Sequence, residues 1–162
     1  MTSTPPLPHA GVKFPPPFIY VAGIAVGWLL HRQWPLAMTG STGPAAQVRD
    51  VIAALCLAAW LALMLAAMVT FRRAQTTLIP HRPATTFVTT GPYRFTRNPM
   101  YVSLVALYLG VTLVLDTWWP AFILPLVVLV IQRYVIAREE RYLASAFPAE
   151  YPAYCQRVRR WL

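Results

Sequence analysis

The residues best suited to chemistry form two short groups on either side of an apolar hairpin. The first is the segment 91–101, Gly-Pro-Tyr-Arg-Phe-Thr-Arg-Asn-Pro-Met-Tyr, which is cationic and aromatic and contains two proline turns. The second is the adjacent pair Glu139 and Glu140, flanked by arginines. The chain has only five acidic residues, so a carboxylate pair at the end of a membrane helix is informative. Together the two groups predict a polar, charged ligand held at a membrane surface.

The turn that opens the hairpin is predicted to bind an anion. Pro99 suits the first turn of a helix, and the side chain of Asn98 can cap that helix. The positive end of the helix, together with Arg97, favours a carboxylate or a phosphate. The alternative is that Arg94 and Arg97 extend to lipid headgroups, and it applies more readily to Arg94.

The two carboxylates should face different surroundings, because adjacent helical residues are separated by about 100°. One of them could meet a ligand and the other an arginine of the preceding loop. A solvated Glu–Arg cluster would instead contribute little energy. Within this helix, one face is predicted to carry Arg133, Ala137, Glu140 and Ala144.

A short C-terminal helix is predicted from an aromatic stripe. Phe147, Tyr151, Tyr154 and Val158 recur at steps of three and four residues, which is the spacing of one helix face. Such a stripe is usually just the packed side of a surface helix. Here the helix would lie over the loop and close a cavity with the turn at Gly91.

Four apolar runs predict the elements that position these groups. The chain of 162 residues is 57% hydrophobic and 12% charged, and a typical soluble domain has about twice that charge. About 20 apolar residues cross a bilayer. The runs are 18–30, 51–71, 101–115 and 120–131. The fold class is therefore predicted to be all-α, an integral membrane protein with about four transmembrane helices and a short cytoplasmic C-terminal helix.

The distribution of arginine predicts the orientation in the membrane. Five arginines lie between the second and third predicted helices, none between the third and fourth, and six near or after the end of the fourth. Positive loops stay in the cytoplasm, so both termini should be cytoplasmic, as in a bacterial inner membrane. Topology and attraction to anionic membrane lipid account for the net charge of +9, and no nucleic acid is implied.

The chain is expected to contain a Pro-rich N-terminal arm, residues 1–17, and a single membrane domain, residues 18–162. Its two cysteines, Cys56 and Cys155, are predicted to lie at different depths, so no disulfide is expected. Neither the cysteines nor the three histidines have the spacing of metal ligands, so no metal site is predicted.

The order of motifs in the C-terminal half, about residues 76–162, carries a family resemblance. The motifs are Gly91-Pro92-Tyr93-Arg94, Arg97-Asn98-Pro99-Met100-Tyr101, Glu139-Glu140 with Leu143, and Phe147, Glu150-Tyr151, Tyr154 and Arg157-Val158. In this order they resemble the isoprenylcysteine carboxyl methyltransferase family and the wider group of small membrane methyltransferases that includes phospholipid N-methyltransferases. The chain departs from the family's pattern at Asn98, where histidine is common, and at Pro148, where glycine is common. Asparagine can donate and accept hydrogen bonds but cannot carry charge.

The resemblance implies a cofactor and a role for individual residues. In that family the turn, the hairpin base and the C-terminal helix enclose S-adenosylmethionine on the cytoplasmic side, and the product is S-adenosylhomocysteine. Arg97 would hold the cofactor's carboxylate and Glu140 its ammonium or ribose hydroxyls, and these two are the implied catalytic residues. The implied cofactor-binding set is Gly91, Tyr93, Arg97, Asn98, Pro99, Tyr101, Glu139, Glu140, Tyr151 and Tyr154. The tyrosines would line the adenine or the sulfonium.

The methyl acceptor is predicted to be a lipophilic or amphipathic small molecule with a carboxylate, an amine or a thiol, because almost everything beyond the cofactor site is membrane helix. Two other functions fit part of the sequence. Membrane sterol and steroid reductases carry a similar Arg-x-Pro-x-Tyr turn and use NADPH, but they are usually much longer. A membrane module that binds anionic lipid or a partner helix would explain the charge and the hairpin, but not Glu139 and Glu140 beside a Tyr-rich helix.

Overall fold

The computed structural model describes residues 15–74 and 87–162, and this part of the chain is helical and has no β-strand. Most of the predicted N-terminal arm and the loop around residues 76–86 lie outside the described residues. The helices are α1 (Pro16–Gln33), α2 (Pro44–Arg73), α3 (Pro99–Val114), α4 (Trp118–Val130), α5 (Ala137–Ala146) and α6 (Glu150–Arg157). A 3-10 turn (Gly91–Arg94) precedes α3, and a π-helical segment (Ile131–Ile136) joins α4 to α5 in one continuous helix.

The sequence explains where these helices begin. Pro16, Pro44 and Pro99 each occupy the first turn of a helix, where the missing N–H would have no intrahelical partner. α4 begins after Thr117, whose hydroxyl oxygen accepts from the backbone N–H of Trp119 at 3.4 Å. The predicted start of the third helix at Pro99 and the predicted turn before the fourth helix are confirmed.

Within residues 15–74 and 87–162, two helices are long and apolar enough to cross a membrane, α2 and the continuous helix Trp118–Ala146. The 30 residues of α2 extend about 45 Å at 1.5 Å per residue, which exceeds the hydrocarbon core of about 30 Å. Large apolar side chains are exposed on the outer faces of the helices, among them Phe18, Val21, Leu55, Leu65, Phe122 and Leu126. These findings support a membrane protein, and the further spans expected for α1 and α3 stay a prediction.

Glycines allow close approach where α1 meets α4 and α2 meets α3. A Cβ atom added at Gly27 would lie 2.6 Å from Pro120 Cγ, and one added at Gly110 would lie 2.8 Å from Leu57 Cδ2. Small residues at such crossings are typical of helix packing in membranes. Tyr108, on α3, is fully buried, and its hydroxyl donates a hydrogen bond to the backbone carbonyl of Pro120, on α4, at 2.9 Å.

At the end of the bundle opposite α6, one aspartate links three parts of the chain. Asp116, in the turn between α3 and α4, accepts from Arg49 Nη1 at 2.8 Å and from the backbone N–H groups of Met38 and Thr39 at 3.1 and 3.0 Å. Burial alone would raise the pKa of Asp116, but these hydrogen bonds outweigh it and hold the pKa below its usual range. The aspartate thus joins the loop after α1, the start of α2 and the turn before α4.

Candidate functional site

The turn that begins at Gly91 is fixed between α2 and α6. Gly91 has a φ of +59°, and a Cβ atom there would clash with Oγ1 of Thr70. Tyr93 is buried and packs edge-to-face against Phe71, with ring centroids 5.3 Å apart. The carbonyl of Tyr93 accepts the hydroxyl of Tyr154 at 2.6 Å. The turn is therefore tied to both helices.

Tyr151 and Tyr154 lie on the buried face of α6. Phe87 joins them, with ring centroids 5.9 Å from Tyr151 and 5.3 Å from Tyr154. Burial raises the pKa of Tyr154 to about 12, so its hydroxyl stays a donor at neutral pH. A short helix is present where the aromatic stripe predicted it, with these two tyrosines on its packed face. The other two residues of the stripe lie outside it, because Phe147 ends α5 and Val158 follows the last residue of α6. The cytoplasmic position of this helix stays a prediction.

Residues 159–161, here called the C-terminal strap, run across the turn. The backbone carbonyl of Arg159 accepts from the N–H of Arg97 at 2.8 Å. The carbonyl of Arg160 accepts from Nδ2 of Asn98 at 2.9 Å. The expectation that Asn98 caps α3 is therefore wrong, because its side chain makes no capping bond and its amide is engaged by the strap.

Arg97, Glu140 and Arg160 form a group of one carboxylate and two guanidinium groups, here called the charged triad. Glu140 accepts from Nε and Nη2 of Arg160 at 2.9 and 2.7 Å. Nη1 of Arg97 lies 3.4 Å from Glu140 Oε1, which is longer than a usual hydrogen bond, and donates to Sγ of Cys155 at 2.6 Å. Nε of Arg97 is buried and has no hydrogen-bond partner among the described residues.

The charged triad has one positive charge in excess in a half-buried place. The exposed fractions of its side chains are 16% for Arg97, 17% for Glu140 and 38% for Arg160. A charge removed from water is unfavourable unless an opposite charge or hydrogen bonds compensate it. The arrangement therefore suits the anionic group of a ligand.

Glu139 lies in a different environment from Glu140, as their angular offset predicts. Its Oε1 accepts the hydroxyl of Tyr101 at 2.8 Å, and no cation of the described chain forms an ion pair with it. The backbone carbonyl of Tyr101 accepts the hydroxyl of Tyr20 at 3.4 Å, which ties the start of α1 to the start of α3. This carboxylate is therefore held by a phenol rather than by an arginine.

The π segment (Ile131–Ile136) precedes both carboxylates. Segments of this kind are rare and often occur at functional sites. The predicted helix face from Arg133 to Glu140 assumed an uninterrupted α-helix, and this assumption is wrong. Arg133 is exposed, whereas Glu140 is half-buried in the charged triad.

The charged triad and the Tyr101–Glu139 pair contain four of the ten residues that the sequence singled out, and the other six lie in the turn, at the start of α3 and on α6. Sequence reasoning missed Arg160, Cys155 and Phe87. Arg160 is 20 residues from Glu140 and Cys155 is 58 residues from Arg97, so no local spacing relates them. The only signal for Arg160 was the number of arginines near the C-terminus.

Comparison with known proteins gives a family for this architecture. Residues 48–150, more than half of the chain, match the family model of phospholipid methyltransferases. The chain is 46% identical over 63 residues, 39% of its length, to the whole of an uncharacterised protein from Haemophilus influenzae. Over 80 residues, 49% of its length, it is 36% identical to a cobalt-zinc-cadmium resistance protein, CzcN, from Cupriavidus metallidurans.

The match to CzcN spans only 37% of that relative. Within residues 15–74 and 87–162, no three His, Cys, Asp or Glu side chains lie close enough together to hold a metal ion. No solved structure matches the chain.

Proposed function

The chain belongs to the phospholipid methyltransferase family, and on this premise we propose that it transfers a methyl group from S-adenosylmethionine to a lipophilic or amphipathic acceptor. The acceptor carries a carboxylate, an amine or a thiol. When bound, S-adenosylmethionine supplies an electrophilic methyl group on a sulfonium, and S-adenosylhomocysteine is the product.

The observation that supports this proposal most directly is the excess positive charge of the charged triad. Arg97 has a buried Nε without a partner in the described chain, and Glu140 takes up only part of its charge. A guanidinium group donates in a planar fork that matches a carboxylate. Arg97 is therefore the residue that would bind the cofactor's carboxylate.

Of the two adjacent carboxylates, Glu139 is the better candidate to meet the cofactor's ammonium or ribose hydroxyls. Both oxygens of Glu140 are engaged by Arg160, whereas Glu139 is engaged through Oε1 only, by Tyr101. Glu140 would then act on Arg97 rather than on the ligand. This assignment gives Glu140 a contact with the two arginines instead of a contact with the ligand.

The remaining predicted residues would shape the site around these charged groups. Aromatic rings favour a cationic methyl group, and Tyr93, Tyr151 and Tyr154 are the tyrosines gathered at the turn. Gly91, Asn98 and Pro99 fix the backbone of the turn. The chain contributes alignment and the exclusion of water, and alignment of this kind can lower a barrier by about 7–11 kcal/mol.

The proposal includes a topology with four spans, α1 to α4, and both termini in the cytoplasm of a bacterial cell. Among the described residues, the end of the bundle with α6 carries ten arginines and three glutamates, whereas the opposite end carries two arginines and two aspartates. The positive-inside rule supports the arginine-rich end as cytoplasmic. A polar cofactor would reach it from the cytosol, and an apolar acceptor would enter from the bilayer, so membrane lipid surrounds the site.

Calorimetry on the detergent-solubilised protein tests this proposal. S-Adenosylmethionine and S-adenosylhomocysteine should bind, NADPH should not, and Arg97→Ala should weaken binding about ten- to a hundredfold, the effect of losing a charge-assisted hydrogen bond. Arg157→Ala is the matched control, because Arg157 is an exposed arginine of α6. Binding of NADPH alone would indicate a reductase, and binding of neither ligand would favour a lipid- or partner-binding module.

A further inference from the structure

Glu140 lies between two arginines and pairs unequally with them. Arg160 donates two hydrogen bonds at 2.9 and 2.7 Å, which are charge-assisted distances, whereas Arg97 lies 3.4 Å away. The closer guanidinium donates to both oxygens of the carboxylate. The charge of Arg97 is therefore only partly compensated, and its Nε has no hydrogen-bond partner in the described part of the chain.

The strap fixes Arg160 in this position through its backbone and its neighbour. The carbonyl of Arg160 accepts from Nδ2 of Asn98 at 2.9 Å and from the hydroxyl of Thr96 at 3.2 Å. The next residue, Trp161, donates its indole N–H to Oε1 of Gln132 at 3.4 Å. The part of the strap that carries the Arg160 guanidinium is therefore held by both the turn and the π segment.

We infer that Arg160 is a positioning residue: by holding Glu140, it keeps Arg97 free to bind the carboxylate of the ligand. The inference rests on the proposed function. Without the guanidinium of Arg160, Glu140 closes the short distance to Arg97 and neutralises it, because a half-buried carboxylate pairs with the remaining cation. Arg160 thus acts on the ligand through Glu140 and Arg97 and has no contact with the ligand itself.

Ligands with and without a carboxylate separate this role from simple support of the strap. Arg160→Ala should raise the dissociation constant of S-adenosylmethionine about ten- to a hundredfold. Decarboxylated S-adenosylmethionine, which keeps the sulfonium and the amine, should lose less than about threefold. Equal losses for the two ligands would show that Arg160 only holds the strap, and the inference would be overturned. Arg157→Ala again serves as the control.

A second variant keeps the test decisive. In Arg160→Ala/Glu140→Gln, residue 140 can no longer neutralise Arg97, so most of the lost affinity for S-adenosylmethionine should return. A double variant that binds as weakly as Arg160→Ala would contradict the inference. Melting temperatures of the ligand-free variants show that the fold is intact in each comparison.

Cys155 gives a measurement that needs no ligand and so separates this inference from the proposed function. Its Sγ accepts a hydrogen bond from Nη1 of Arg97 at 2.6 Å. With Cys56→Ser as background, Arg160→Ala should change the rate at which iodoacetamide alkylates Cys155, because Arg97 then turns from the thiol to Glu140, and the further change Glu140→Gln should restore the rate. An unchanged rate in Arg160→Ala, or no restoration in the double variant, would refute the inference whether or not the protein binds S-adenosylmethionine. If both rates change as expected and the protein does not bind S-adenosylmethionine, the proposed function alone is refuted.

Discussion

Replacing Tyr154 with phenylalanine removes the one hydrogen bond by which α6 holds the carbonyl of Tyr93. Donor and acceptor residues are both buried, with exposed fractions of 3% and 9%, and the bond is 2.6 Å long. Tyr154→Phe leaves a buried carbonyl unpaired, which costs about 1–3 kcal/mol. For a chain of this size, each kcal/mol corresponds to a decrease of about 2–4 °C in the melting temperature.

The pH dependence of this effect follows from the raised pKa of Tyr154. The folded value, about 12, lies above the unfolded value of about 10. The contribution to stability is therefore complete below about pH 10 and is lost as the pH rises through 12. The difference in melting temperature between the wild type and Tyr154→Phe should be constant from about pH 6 to 9.

Thermal unfolding of the purified protein in detergent measures this difference. Tyr134→Phe is the matched control, because the hydroxyl of Tyr134 makes no hydrogen bond with the described residues and its ring keeps the contact with Arg138, 4.0 Å from the ring centroid. Equal melting temperatures for the two variants would refute the assignment of this hydrogen bond as a support of the turn. Because the turn carries Arg97, Tyr154→Phe should also weaken the binding of S-adenosylmethionine.

Two further predictions concern the turn and the topology. Gly91→Ala should destabilise the protein by more than the roughly 1–2 kcal/mol of a positive φ, because the new Cβ also meets a threonine of α2. Gly40→Ala has a positive φ in open space and should lower the melting temperature less, and equal decreases would show that the clash does not matter. In a background without the native cysteines, Ser41→Cys and Ala153→Cys, at opposite ends of the bundle, should react with an impermeant thiol reagent from opposite sides of the membrane. Labelling of both from one side would contradict the four-span topology.

The helices and their order could be predicted from the sequence, because the signals for them are local. Four runs of apolar residues predicted four helices, and the structure has a helix at each run. α1 and α2 extend beyond their runs at both ends, and α3 and α4 begin and end within two residues of theirs. Pro99 correctly marked the start of α3, and the spacing of Tyr151 and Tyr154 correctly marked the packed face of α6. In each case neighbouring residues on one element carry the information.

The partners within the candidate site could not be predicted, because they are distant in the chain. Asn98 could have capped α3 or bonded elsewhere, and its actual acceptor is 62 residues away, on Arg160. Arg160 was one of several arginines near the C-terminus, and the sequence did not show which of them would face solvent, lipid headgroups or the site. Only the folded strap shows which of them meets Glu140.

The π segment gives the fourth helix one residue more than an uninterrupted α-helix of the same rotation, because each of its hydrogen bonds spans five residues instead of four. Deleting one residue between 131 and 136 should therefore restore an ordinary α-helix from α4 into α5 and leave Glu139 and Glu140 facing the same way. An added residue that is not absorbed by a second turn of this kind would instead rotate both carboxylates by about 100° around the helix axis relative to the membrane-spanning half. Single-residue deletions in this segment are therefore expected to be tolerated better than single-residue insertions.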